Sequence, residues 1–410
     1  MSQSIIAIAK NVHKNTSKQK NTFTGSHVHS NTAQKQPLKH SQNAPLGKLP
    51  NSEPTSNSKA SQDTRELRFS RQSTSSRLLP KSRTAQCLKS VISPEVTILK
   101  SKKFDKCHYS GLMTCGSVWT CPVCAAKISE RRKIELKSAV DQHTAGGGSV
   151  LLITFTHSHK REESLQSLLE RQSKASQWFY RHRTYKELKQ RYMKRGRVRA
   201  LEVNHGQANG WHPHMHELWF LDLTLHDYSI LKSEIFELWL KACARFDLGL
   251  PSEKHGIDVR GGEDAAGYVS KFGTESWGME SELTKSSLKK GRNGSRSPFQ
   301  LLDDYSEGDK QSGALFVEYA KAFKGKRQLT WSNGLKAEFE LDDLTDKELA
   351  DSQEDDAEVV MKISKDQWKL VKKTRSGAGP GNDSRLLVLQ LAENGGLTAV
   401  TTYLTSLAHT

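Results

Sequence analysis

Three histidines alternate in the run Trp211-His-Pro-His-Met-His216. Successive side chains of an extended strand point to opposite faces, so His214 and His216 share one face, and Leu218 and Phe220 continue it into a core. Two neutral imidazoles at this spacing, roughly 7 Å apart at their Cα atoms, can chelate one divalent ion. The preceding residues 204–210 are rich in turn formers. If they close a hairpin, the preceding strand brings Glu202 opposite His214. Glu202 stands between Leu201 and Val203, and a charge alone on an apolar strand is costly unless it is paired or bound to metal. Two nitrogens and a carboxylate leave positions open for water and phosphate oxygens. Such a set suits Mg²⁺ or Mn²⁺, manganese being the more tolerant of nitrogen.

Four of the six cysteines crowd between Cys107 and Cys124. Cys121 and Cys124 have the CxxC spacing at which two thiolates ligate one tetrahedral Zn²⁺, and Pro122 fits the tight turn between them. Cys115 is the third ligand. Proximity offers Cys107, or His108, as the fourth. A redox CxxC should open a helix after a strand without extra cysteines, so structural zinc in a reducing compartment is the expectation. Cys243, inside the helical run LWLKACARF, reads as core.

Downstream, residues 263–272 have helical composition apart from Gly267. Asp264, Tyr268 and Lys271 fall on one helical face at i, i+4 and i+7. A phenol with a pKa of about 10 is a poor nucleophile unless a metal activates its target or a cation favours the phenolate. Lys271 is placed to supply that cation.

The elements that must position these groups are legible between residues 148 and 275. Ser149 to His157 is a β-rich run after a Gly triplet, residues 162–193 repeat apolar positions at helical spacing, residues 199–203 and 211–221 read as strands, and residues 229–246 are helical. Strand, helix, hairpin and helix in this order predict an antiparallel α+β domain with helices packed on a sheet. Around it, residues 1–78 read as a disordered basic tail, because they are Ser-, Asn-, Gln-, Thr- and Lys-rich with almost no aromatics. Residues 79–147 form a zinc-binding module, 148–280 the central domain and 281–311 an exposed basic loop. Residues 312–410 form a C-terminal α-rich region with an acidic linker.

The chain of 410 residues carries 62 Lys and Arg against 45 Asp and Glu, a net charge of +17, which points to an acidic partner, most commonly nucleic acid. Arg181, Arg183, Arg191, Arg195, Arg197 and Arg199, with Tyr185 and Tyr192 among them, are the candidate DNA contacts. No stretch approaches the roughly 18 to 20 apolar residues of a membrane span. The apolar patch from Ile5 to Ala9 is too short for a secretory segment.

Together these residues resemble the HUH endonucleases, which include rolling-circle replication initiators, relaxases and related transposases. The carriers are FTHSH after an apolar strand, WHPHMH with Glu202 upstream, and the YxxK helix downstream. GLMTCGSVWTCPVCAAKISERR before them, and GKRQLTWSNGLK and TDKELA after them, are similar to bacterial plasmid replication initiators of the single-tyrosine class. The resemblance implies an HUH core of ferredoxin-like or RRM-like type, with Thr154, Phe155 and Thr156 as its first motif. It implies Glu202, His214 and His216 as ligands of catalytic Mg²⁺ or Mn²⁺, and Tyr268 as nucleophile. It also implies a carboxylate near the tyrosine, with Lys271 assisting. Asp264 stands where a glutamate is the commoner choice, and Glu263 is adjacent. The resemblance favours Cys87 over Cys107 as the fourth zinc ligand.

The implied activity is a cytoplasmic bacterial one: nicking of one strand of single-stranded or cruciform plasmid origin DNA, with a 5′-phosphotyrosine link and a free 3′-OH primer. Host helicase and polymerase are the implied partners. A relaxase or single-strand transposase shares the motifs, but relaxases usually place the tyrosine before the histidines. A non-catalytic zinc-finger DNA-binding protein is the competitor from another class. A zinc hydrolase lacks a downstream ligand series.

Overall fold

The computed structural model describes residues 55–262, 264–265, 295–352, 356–374 and 383–409, all within one unit, Pro54–Thr410. In chain order these form α1 (Thr55–Leu78), α2 (Arg83–Gln86), β1 (Val96–Ser101), β2 (Cys107–Ser110), α3 (Pro122–Ala145), β3 (Ser149–Phe155), α4 (Leu165–Arg181), α5 (Arg183–Arg191), β4 (Lys194–Gly206), β5 (Gly210–Leu221), α6 (Ser229–Arg245) and β6 (Ile257–Gly261). After residue 294 follow β7 (Ser295–Arg296), α7 (Gln300–Ser306), α8 (Lys310–Ala322), β8 (Leu329–Trp331), α9 (Leu335–Glu338), α10 (Asp346–Asp351), β9 (Ala357–Ile363), α11 (Lys365–Lys373) and α12 (Ser384–Ala408). The architecture is α+β, and every strand pairing is antiparallel.

The larger sheet runs β6-β3-β5-β4-β7, with β8 also on the outer edge of β4. Its centre is the β4–β5 hairpin, closed at Gly206↔Gly210. Gly210 has φ of 75°, and a Cβ there would stand 2.7 Å from the Arg161 carbonyl oxygen, so the turn needs glycine. One face of the sheet buries Ile153, Phe155, Met215, Trp219 and Ile257 against α4, α5 and α6. The other buries Val150, Val198, Ala200, Leu218 and Phe220 against Leu136 and Ala139 of α3 and Leu335 and Phe339. The alternation expected along β5 is therefore the alternation between two cores.

The expected helix over 162–193 is two helices. His182 breaks it with extended dihedrals (φ −65°, ψ 145°), and its Nδ1 accepts the Thr184 N–H at 3.2 Å, capping α5. A second sheet, β2-β1-β9, joins residues near 100 to residues near 360. This pairing links parts of the chain that the sequence assigned to separate segments.

The expected disorder of residues 1–78 is corrected for α1, Thr55–Leu78; residues 1–54 lie outside the described residues. Composition alone missed this helix because, Phe69 apart, most of its buried contacts are polar. Arg71 is buried and forms a bidentate pair with Asp303, the Gln72 amide donates to the Cys87 carbonyl at 3.0 Å, and the Ser75 hydroxyl donates to the Thr120 carbonyl at 2.6 Å. Buried polar groups satisfied in this way order a segment that has few apolar side chains.

Candidate metal centre and active site

The hairpin register sets Glu202 directly opposite His214, and His216 pairs with Thr154 of β3 in the next row. Glu202 Oε2 lies 3.5 Å from His214 Nε2 and 3.6 Å from His216 Nε2. One ligand atom from each of the three residues lies within 4.8 Å of the other two. Donors about 2.1 Å from one ion can stand up to about 4.2 Å apart, and the 3.5 and 3.6 Å separations from Glu202 fall within that span.

The ring orientations fit a metal. His214 Nδ1 lies 3.2 Å from the His212 carbonyl oxygen, which can only accept, so Nδ1 carries a proton and Nε2 is the ring nitrogen turned towards Glu202. His216 Nδ1 lies 2.9 Å from Thr154 Oγ1, which can hold the same tautomer. Burial lowers the His216 pKa to about 4, so the ring is neutral at physiological pH.

Next to this triad stands a second group of histidines, His157 and His159 of the FTHSH run and His212, to which the sequence assigned no role of their own. His159 Nε2 lies 2.9 Å from His212 Nδ1, and His157 is buried nearby. Burial lowers His212 to about 3 and His157 to about 4, so this neighbourhood carries neutral rings. Asp258 of β6 is also new. It pairs with Thr154 and so extends the row that holds His216. Its alternation with Ile257 and Val259 was visible, but its register was not.

Tyr268, Lys271 and Glu263 lie outside the described residues. Asp264 is described and exposed, beyond the end of β6. Ala265 is buried in the core on the sheet face that carries the triad, 1% exposed.

The cysteines separate cleanly. Cys87, Cys115, Cys121 and Cys124 are buried as one group, with Sγ–Sγ distances of 3.5 Å (Cys87–Cys124), 3.7 Å (Cys115–Cys124) and 3.7 Å (Cys87–Cys121). Four sulfurs about 2.3 Å from a tetrahedral zinc stand about 3.8 Å apart, so the donor set fits that ion. The Cys115 amide approaches Cys87 Sγ at 3.4 Å, and the Ser117 amide approaches Cys115 Sγ at 3.4 Å, contacts that favour thiolates. Without a cation, hydrogen bonding from Cys121 pulls the Cys115 thiol far below its ordinary range, while burial pushes Cys121 far above its own. A bound dication would favour all four thiolates. Cys107 sits instead in β2, within a separate core beside Phe69, Ile98 and Leu386. Cys243 is core, as expected.

The arginine run does not form one open surface. Arg197 is turned inward, 2.5 Å from the fully buried Glu217, with its guanidinium 3.4 Å from the Tyr180 ring centroid. This corrects its expected role as a DNA contact: Glu217 must be neutralised, and Arg197 does so. Arg183 pairs with Glu187, Arg191 with Glu234, and Arg195 with Asp222, all at the surface. Arg181 is exposed, and Arg199 is half-buried.

Fold and sites define an α+β protein with one donor set suited to zinc and another suited to a hard divalent ion. Residues 112–375, more than half of the chain, match the model of the Rep_1 family of replication proteins, and the chain belongs to that family. It is similar to "Protein rep" of Streptomyces lividans, with 27% identity covering 64% of this chain and 73% of that protein. It is also similar to a "Neomycin resistance protein" of Streptomyces cyanogenus, with 30% identity over 26% of this chain and 30% of that one. No solved structure matches it. Among the described residues, no helix is long and apolar enough to cross a membrane.

Proposed function

We propose that this protein is a plasmid rolling-circle replication initiator of the HUH type, which nicks one strand at its origin and remains joined to the 5′ end. The observation that carries this reading is the convergence of Glu202, His214 and His216 with both histidine Nδ1 atoms turned to oxygen partners, in a chain of a replication-protein family.

A divalent ion held by these three residues supplies Lewis-acid stabilisation of charge on a phosphate. The protein's own groups do the rest. His214 and His216 present their Nε2 atoms as donors, and Glu202 contributes the negative charge. Tyr268 Oη attacks the scissile phosphorus: the Oη–P bond forms, the P–O3′ bond breaks, and the phenol proton is given up to solvent while the leaving 3′-oxygen gains one. Energy kept in the phosphotyrosine lets the strand be rejoined without ATP. Asp264 activates the water that ends the cycle, and Lys271 favours the phenolate. The zinc module holds the nuclease core's flank, and the exposed arginines track the DNA backbone.

The test is nicking of supercoiled plasmid carrying the origin, with Mn²⁺ or Mg²⁺ added. Purified protein is expected to nick, and His214→Ala and His216→Ala are expected to lose cleavage while keeping most DNA binding, since phosphate contacts by Lys and Arg supply affinity. Equal nicking by the double variant would reject the metal site. DNA binding with no cleavage by the wild type under any divalent metal would favour a non-catalytic zinc-finger DNA-binding protein instead.

A further inference from the structure

A cleft of about 250 Å³ opens against the Glu202–His214–His216 group. It lies where the outer edge of β4 passes between its two partners: β8 pairs with Val198 to Ala200, and β7 pairs with His205 and Gly206. Trp119, Tyr319 and Pro298 give the cleft apolar walls, and Asn204 and Gln328 give it polar ones.

Two of these residues are anchored in place. Trp119 lies between Cys115 and Cys121, so the cysteine cluster fixes its backbone. Its indole N–H donates to the Lys326 carbonyl at 2.7 Å, and its ring packs 4.5 Å from Phe323. Gln328 is anchored through its own carbonyl, which accepts the Leu201 N–H at 3.0 Å. Its side chain is only 5% exposed, yet Oε1 has no hydrogen-bond partner among the described residues. A buried amide oxygen without a donor is costly unless something completes it.

We infer that this cleft takes one unstacked nucleobase of the strand being cleaved, with Gln328 reading its edge and Trp119 packing against it. The inference rests on the proposed nicking reaction and adds to it a subsite that sets sequence preference. The occupant must be small, partly apolar and able to donate an N–H to Gln328 Oε1. It must also be tethered to something that reaches the metal group beside it. A nucleobase next to the scissile phosphate has all four properties. A carboxamide offers an acceptor and a donor side by side, the pairing by which Gln and Asn discriminate bases, adenine above all. Aromatic side chains beside an unstacked base add affinity with little sequence preference. The cysteine cluster thereby gains a part in substrate binding, because it delivers Trp119 to the cleft.

The test is cleavage of a randomised single-stranded DNA library by the full-length protein with Mn²⁺, with the products sequenced around the nick. The wild type is expected to show one flanking position with a strong base preference. Gln328→Leu keeps the size and removes the polar edge. It is expected to flatten that one position by about tenfold, the scale of one lost base contact, and to leave preferences elsewhere unchanged. An unaltered profile in Gln328→Leu, with cleavage intact, overturns the subsite and leaves nicking standing. No cleavage by the wild type removes the nicking reaction itself. If Gln328→Leu does not fold, 2-aminopurine placed in turn at each position of the best-cleaved sequence decides with the wild type alone. Quenching confined to one position beside the nick supports the cleft, and equal fluorescence at every position overturns it.

Discussion

Thr154 Oγ1 stands 2.9 Å from His216 Nδ1, across the β3–β5 pairing that places these two residues side by side. This contact ties the apolar strand of the first motif to the histidine strand. Its consequence is an imidazole whose outer nitrogen is occupied and whose inner nitrogen faces Glu202. Partners of this kind fix the tautomer and orientation of a metal-binding histidine. Thr154→Val keeps the shape and removes the hydroxyl. Mn²⁺ affinity is expected to fall by about 10- to 100-fold with the fold unchanged, and excess Mn²⁺ should restore nicking. Calorimetric titration of Mn²⁺ into both proteins measures this, and equal affinity would show that the hydroxyl has no part in the site.

The cysteine cluster predicts about one tightly held Zn²⁺ per chain. Cys87→Ser should lose that zinc and destabilise α1, because the Cys87 carbonyl anchors Gln72 in the same neighbourhood. Cys107→Ser should retain the zinc, since Cys107 packs in the other core. Metal analysis of the two purified variants separates them. Zinc-free but folded wild-type protein would remove the site altogether.

The inward turn of Arg197 makes a prediction opposite to that for a DNA contact. Glu217 is fully buried, and its pKa stays below the ordinary carboxylate value: burial alone would raise it, but Arg197 foremost, with Lys194, Tyr180 and Trp219, outweighs that. Removing the guanidinium would leave this charge unpaired. Arg197→Ala is therefore expected to cost about 3–5 kcal/mol of stability in urea unfolding, whereas Arg183→Ala should cost almost none. The salt dependence of DNA binding should behave the other way round.

Buried neutral histidines make stability depend on pH. The folded pKa of His157 is lowered by burial to about 4, below the unfolded value of about 6.5. The unfolded chain then binds more protons between these values. The contribution is fully present above about 6.5 and is lost as pH falls through that window towards 4. One such group amounts to about 3 kcal/mol, and His212 and His216 shift in the same direction. His157→Phe should flatten the slope of unfolding free energy between pH 6.5 and 4. An unchanged slope would mean that the ring is not held neutral.

Much of the metal group was legible because it is local. His214 and His216 are two residues apart on a strand, and a short hairpin brings Glu202 across from them, so alternation and turn chemistry suffice. The break at His182 was not legible, because no Gly or Pro marks it and a histidine cap replaces them. Nor was α1, whose buried groups are mostly polar, Arg71, Gln72 and Ser75 among them, with Phe69 as its one buried large apolar side chain among the described residues. The approach of Trp119 and Gln328 to the same cleft, and the pairing of β1 with β9, depend on contacts between distant parts of the chain. No local pattern encodes them.

The nucleophile remains the sharpest claim to test. The chain has nine tyrosines, and the structure already engages several of them elsewhere. Tyr180 donates to Glu217, Tyr192 to Glu234, and Tyr109 to the Arg385 carbonyl. Burial raises the pKa of Tyr180, Tyr185 and Tyr319, which opposes formation of a phenolate. Tyr319 is the competitor that geometry offers, because it lines the cleft beside the metal group, yet it is 1% exposed and packed among Trp119, Phe323 and Trp211. Tyr268 follows Asp264 by four residues and precedes Lys271 by three, the sequence spacing that predicts a carboxylate and a cation on one helical face. Ala265, between them, is buried on the sheet face that carries the triad. Tyr268→Phe should abolish the covalent protein–DNA adduct and leave binding nearly intact. Tyr319→Phe should still form it. Asp264→Ala should form the adduct and accumulate it, because the hydrolysis that ends the cycle is slowed. Peptide mapping of the adduct formed on a single-stranded origin oligonucleotide decides among these, and a 5′-phosphate on any residue but Tyr268 would overturn the assignment while leaving the metal group in place.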